Sequence, residues 1–200
     1  MPTTDAIVVG AGHNGLVAAC YLARAGLSVR VLERRHVVGG AAVTEELMPG
    51  VRVSAASYAL SLLRPDVYRD LHLARHGLTF TPKEPQLFVP LPDGRHFFIW
   101  RDPDRTREEL AKIHRPDAGA YSVWSSFWEE AVELLRPFVE TASPPPPAEV
   151  ERELSRRGRS DVWRLAVAGS AAECVEEFFA SDEVRGCFAT QGIIGTQASP

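Results

Sequence analysis

The run Ala6-Ile7-Val8-Val9 places four apolar residues in succession between a polar N-terminal stretch and a glycine. It is too short for a helix and suits a strand buried in a parallel sheet. Over residues 16–25 the period changes. Leu16, Ala19, Cys20 and Ala23 recur at helical spacing and mark a packed face, which makes Cys20 a small core residue, and Gly26 is placed to end the helix. Val29-Arg30-Val31-Leu32 then reads as a second strand. Strand, helix and strand in this order predict a βαβ unit with a parallel sheet, hence an α/β fold.

Further along, residues 65–76 predict one short helix with proline in its first turn, apolar at Val67, Leu71 and Leu73 and closed by Gly77. Residues 78–80, 86–91 and 95–100 have strand character, and Pro92-Asp93-Gly94 supplies the turn of a hairpin between the last two. Asp102-Pro103-Asp104 caps a helix to about residue 114, and a second helix is expected over 118–136. Tyr121, Trp124, Phe127, Trp128, Val132 and Leu135 form a stripe along it that is more often core than ligand surface. Residues 143–147, a serine and four prolines, predict an exposed polyproline spacer. Helical patterns resume over 148–157, 161–180 and 182–188, and residues 192–200 read as loop. The expected division is an α/β nucleotide-binding domain over 1–78 and the start of an α+β substrate domain over 79–200.

The chemistry lies in the first unit. Gly10-Ala11-Gly12-His13-Asn14-Gly15 follows the first strand directly and matches G-x-G-x-x-G. Gly10 allows the tight turn, Gly12 lets a pyrophosphate approach bare backbone, and Gly15 lets the helix pack closely on the sheet. The helix N-terminus then offers free N–H groups and partial positive charge to an anion. Glu33 stands at the end of the second strand, where a carboxylate accepts hydrogen bonds from ribose hydroxyls and repels a 2′-phosphate, so NADP is disfavoured. Beyond it comes Arg34-Arg35-His36-Val37-Val38-Gly39-Gly40-Ala41, and an NAD-binding Rossmann domain has no special need for that second glycine pair.

This segment resembles the FAD-binding superfamily that includes amine oxidases and carotenoid desaturases. The resemblance implies that Glu33 takes the ribose, that Arg35 lies near the phosphates, and that Gly39 and Gly40 offer backbone N–H groups from the second side. Amine oxidases usually carry an arginine after the pair; Ala41 here implies no side-chain contact. Through Val43-Thr44-Glu45-Glu46, Pro49-Gly50, Ser54 to Ser57 with Tyr58, and Leu62-Leu63-Arg64-Pro65 the chain is similar to the phytoene dehydrogenase-related flavoproteins. Within them it is nearest to the group called pyridine nucleotide-disulfide oxidoreductase domain-containing protein 2. Members of that family continue past residue 200, which implies that this chain is the N-terminal part of a longer enzyme and that residues 1–200 alone hold FAD poorly. By the same resemblance the loop 53–58 passes near the flavin, with Ser57 and Tyr58 as lining candidates or simply as loop packing.

The leading expectation is therefore an FAD-dependent oxidoreductase that takes a hydride from a small hydrophobic or amine-type substrate and passes electrons to an acceptor these motifs do not name. Two alternatives stand beside it. One is a flavin-free binder of lipid or prenyl groups on the same fold, as in Rab GDP-dissociation inhibitors; the other is an NAD-only dehydrogenase. Cys20, Cys174 and Cys187 lie far apart and form no C-x-x-C pair, so dithiol chemistry is not expected and a reducing compartment, by default the cytoplasm, fits. A net charge of −4 gives no reason to expect nucleic acid. No apolar run approaches a membrane span, the first strand begins too near Met1 for a leader, and the six histidines show no zinc spacing. A G-x-S-x-G hydrolase elbow and a second nucleotide fingerprint are also missing from the sequence.

Overall fold

The computed structural model describes residues 3–54, 56–57, 59–60 and 62–193. They form two compact units, 1–81 and 82–200.

In the first unit, β1 (Ala6–Val9) and β2 (Val29–Leu32) pair in parallel, Ala6 opposite Val29 and Val9 opposite Leu32, with α1 (His13–Arg24) connecting them. Asp5 closes the open end, its carboxylate accepting from the Ser28 N–H at 2.8 Å. The expected packed face of α1 is only half realised: Ala19 is buried, whereas Cys20 and Ala23 are exposed. Among the described residues this sheet has two strands. At ~4.8 Å between strands, such a ribbon is narrower than a helix of ~10 Å diameter and covers only one edge of it.

Two further elements of this unit depart from expectation. Residues 44–54, in part assigned to a plain loop, form an antiparallel hairpin of β3 (Thr44–Met48) and β4 (Val51–Ser54). Pro49 and Gly50 (φ 79°) make its turn, and Glu46 accepts the Gly50 N–H at 2.8 Å. The single helix expected over 65–76 is instead α2 (Pro65–Asp70) followed by a 3-10 turn (Leu73–His76), with His72 left-handed at φ 52° between them. Asp70, the last residue of α2, is tied to α1. Its carbonyl, which a continuing helix would offer to the Ala74 N–H, accepts from Arg24 Nη1 at 2.6 Å, and its carboxylate takes the Tyr21 hydroxyl at 3.0 Å. Residues 78–80 find no partner strand; Phe80 instead packs its ring edge-on against Tyr68.

The second unit begins with the expected hairpin, β5 (Leu87–Pro90) against β6 (His96–Ile99). The Asp102 carboxylate caps α3 (Pro103–Ile113) by accepting from the Asp104 and Arg105 N–H groups. α4 (Arg115–Val139), α5 (Pro147–Arg156), α6 (Ser160–Val162), α7 (Ala171–Phe178) and α8 (Asp182–Ala189) follow. Pro147 thus belongs to the first turn of α5, not to the spacer before it. One core gathers Phe97, Leu110, Ala118, Phe179 and Val184; the other gathers Phe127, Ala131, Leu154, Val162 and Leu165. In the α4 stripe Phe127 is buried, Tyr121, Trp124, Trp128 and Leu135 are half-buried, and Val132 is exposed.

The helix expected over 161–180 is broken. After α6 the chain makes a π-helical turn (Trp163–Ala168) and restarts at α7, where Ser170 and Glu173 form a reciprocal capping box. A side chain at Gly169 would stand 2.5 Å from the Arg164 carbonyl oxygen, so the chain leaves the helix where only glycine fits. Buried Asp117 ties the start of α4 to the α7–α8 connection by accepting from the Ala180 and Ser181 N–H groups at 2.8 and 2.9 Å.

Candidate dinucleotide site

The predicted fingerprint sits where β1 passes into α1. Gly10 takes φ 98°, and its N–H donates to the Leu32 carbonyl at 2.7 Å, which joins the turn to the end of β2. Gly15 faces back on that turn. A Cβ there would lie 2.2 Å from the Gly10 oxygen and 3.3 Å from a Val8 methyl, so close packing of helix on strand requires glycine. Gly12 is the N-cap of α1 at extended dihedrals, with no capping side chain and no acidic residue in the first turn. The amides at the start of the helix therefore point outward with no intrahelical acceptor. Ala11 is buried within the loop, while His13 and Asn14 are exposed on the first turn.

The second glycine segment lies directly on the first. Gly39 (φ 120°) and Gly12 form a parallel bridge, and the Gly39 N–H donates to the Ala11 carbonyl at 2.8 Å. Gly40 (φ 58°) comes so close that a Cβ on it would lie 2.8 Å from the Gly12 Cα. This corrects one expectation: the Gly39 N–H is committed to protein and is not a free donor. A 3-10 turn (Gly40–Ala42) follows, with Ala41 exposed, and buried Val43 packs against Gly39.

Glu33 connects the two segments. One carboxylate oxygen accepts the Ala11 N–H at 2.8 Å and the other the Arg35 N–H at 2.9 Å, so each oxygen keeps a further lone pair for a ligand hydroxyl. The Arg35 N–H first, and then the Ala11 N–H, hold its carboxyl below the usual value of 4.5. Arg34 is exposed. The Arg35 guanidinium forms an ion pair with Glu45 on β3, a partner that motif reading missed because no spacing rule links the two positions. Ser57 is exposed, its N–H donating to Ser54 Oγ at 3.2 Å, and Tyr58 lies outside the described residues. Every other predicted site residue falls in one of the two segments, 10–15 and 33–41, that meet at the Gly12–Gly40 contact.

No group of three or more possible metal ligands occurs among the described residues, and no helix among them is long and apolar enough to cross a membrane. The cysteines do not come together as a redox pair in the sequence, and burial pushes the Cys174 and Cys187 thiols up to about 11 and about 12.

A parallel βαβ unit with an uncapped glycine turn, a terminal acid and a second glycine pair is a Rossmann-like nucleotide-binding domain. Residues 8–72 accordingly match the family described as NAD(P)-binding Rossmann-like domain. Over its whole length the chain is similar to proteins called pyridine nucleotide-disulfide oxidoreductase domain-containing protein 2. It is 36% identical to the protein of that name from Rattus norvegicus over 225 aligned positions, which cover 100% of this chain and 39% of that protein. It is also similar to a limonene dehydrogenase polypeptide of Castellaniella defragrans, at 36% identity over 135 positions covering 66% of this chain and 24% of that polypeptide. Among solved structures, a putrescine oxidase A394C mutant superposes with a TM-score of 0.50 at 24% identity, over 90% of this chain and 35% of that one, a likeness of fold. The chain thus spans well under half the length of these relatives.

Proposed function

We propose that this chain carries the dinucleotide-binding part of an FAD-dependent oxidoreductase. The observation that carries the reading is the contact of Gly40 on Gly12, two backbones meeting where a single Cβ would fill the cradle, beside an uncapped helix N-terminus. FAD fits that donor set. The first amides of α1 would take the pyrophosphate, the spare lone pairs of Glu33 the ribose hydroxyls, and Arg35 would add positive charge at the rim. Bound there, the flavin would supply a hydride acceptor, and the oxidoreductase names among the relatives agree with that use. In this reading the residues of the first unit bind and orient the cofactor, and the substrate is hydrophobic or amine-type.

The test is the cofactor itself. The protein expressed from its own gene should be yellow and release FAD on denaturation, identified by absorption spectrum and mass. A colourless protein that takes up no FAD would overturn the reading. A second reading, an NAD-only domain, draws on the description of the matching family. It predicts that deleting Gly39 and Gly40 leaves nucleotide binding intact, whereas the FAD reading predicts that binding collapses.

A further inference from the structure

Arg35 is held at both ends. Its backbone N–H donates to Glu33 Oε1 at 2.9 Å, and its guanidinium Nη2 donates to Glu45 Oε1 at 2.5 Å. Glu45 lies on β3 opposite Val53, so the hairpin ladder fixes its backbone. The ion pair closes the segment 35–45, which contains Gly39, Gly40, the 3-10 turn and buried Val43. That segment is pinned to the fingerprint loop at its middle by the Gly39 N–H on the Ala11 carbonyl. The two side chains are 42% and 34% exposed, and a surface pair of this kind contributes little stability. Its effect is on orientation, because a free arginine has many rotamers, all but one of which a ligand must remove.

We infer that Glu45 is a positioning residue of the dinucleotide site, holding the Arg35 guanidinium in one orientation in which the diphosphate of the ligand meets it. The inference rests on the nucleotide reading of the cleft given above. Glu33 anchors the backbone of Arg35 and Glu45 its charged end, so the diphosphate meets an arginine already ordered. The hairpin β3–β4 thereby gains a role: it carries the carboxylate that aims the arginine. Freezing one rotamer-rich side chain in advance corresponds to about a two- to twelvefold gain in affinity.

The probes are ADP and adenosine, which differ in the diphosphate, titrated into the ¹⁵N-labelled chain while the Gly12 and Gly15 amide shifts are followed. Glu45→Ala should weaken ADP two- to twelvefold and leave adenosine within twofold. Added to Arg35→Ala, it should weaken ADP no further, because Glu45 acts only through Arg35. The inference is overturned if Glu45→Ala weakens both probes alike, if it weakens ADP again in the Arg35→Ala background, or if ADP affinity stays within twofold of the unsubstituted chain. Failure of ADP to shift those amides in the unsubstituted chain is a different pattern, and it overturns the nucleotide reading together with the inference.

Discussion

Gly40→Ala tests whether the two glycine segments meet as backbone on backbone. The new Cβ would lie 2.8 Å from the Gly12 Cα, against 3.4 Å for ordinary contact, so one segment must retreat by about 0.6 Å. Both partners are main chain, and no flexible side chain can yield. Alanine at φ 58° costs about 1–2 kcal/mol by itself. The retreat also stretches the bond from the Gly39 N–H to the Ala11 carbonyl, worth about 0.5–1.5 kcal/mol. Together these predict a loss of about 1.5–3.5 kcal/mol in the first unit. Gly26→Ala is the control: φ is 91°, no less strained, but nothing lies within 4 Å of its Cβ. All four tryptophans lie at positions 100, 124, 128 and 163, so fluorescence would not report on this unit. Amide hydrogen exchange of β1 and β2 would. Equal losses of protection in the two variants would refute the argument, since strain alone would then account for both.

Two further outcomes follow from titration and burial. Glu33 has a folded pKa below its usual 4.5, so the stability it contributes is complete above that value and is lost as pH falls through the folded pKa. The stability difference between the wild type and Glu33→Gln should therefore shrink as pH falls below about 4.5, and a difference that grows in acid would contradict the two backbone hydrogen bonds. Iodoacetamide at pH 8 should alkylate Cys20 alone, because Cys174 and Cys187 are buried with thiols raised to about 11 and about 12; intact mass should show one adduct, and three would contradict the packing of α7 and α8.

The glycine fingerprint, Glu33 and the second glycine pair were legible because each acts through a property of its own residue type: a missing Cβ, or a carboxylate at a strand end. Asp102, Gly94 and the β5–β6 turn were legible for the same reason. What could not be read depended on partners distant in sequence. The helix over 65–76 breaks after Asp70, which is held by Arg24, 46 residues away, and by Tyr21, and the chain turns left-handed at His72. Cys20 has helical spacing suited to a core and is exposed, because the strands beneath α1 are too few to cover it. Glu45 carries no motif, and only the return of the chain after Gly40 brings it to Arg35. The break at Gly169 had a local signal in Gly169-Ser170 followed by Glu173, a capping box inside a helical pattern, and the pattern outweighed it.

A site of this kind reads features shared by every dinucleotide. Helix amides recognise phosphate charge, and Glu33 recognises paired ribose hydroxyls, which NAD and FAD both present. The first glycine segment alone therefore cannot choose between them. Any choice within the first unit must come from what is added: the Gly39–Gly40 layer on Gly12, and the Arg35–Glu45 pair that closes the segment holding it. The layer is steric and allows no side chain at position 40, whereas the ion pair is electrostatic and can be tuned without moving backbone. Substitutions at Gly40 should accordingly abolish nucleotide binding, and substitutions at Glu45 should grade it. Equal effects from the two positions would mean that the segment 35–45 acts as a single rigid element, with no separate electrostatic role for Glu45.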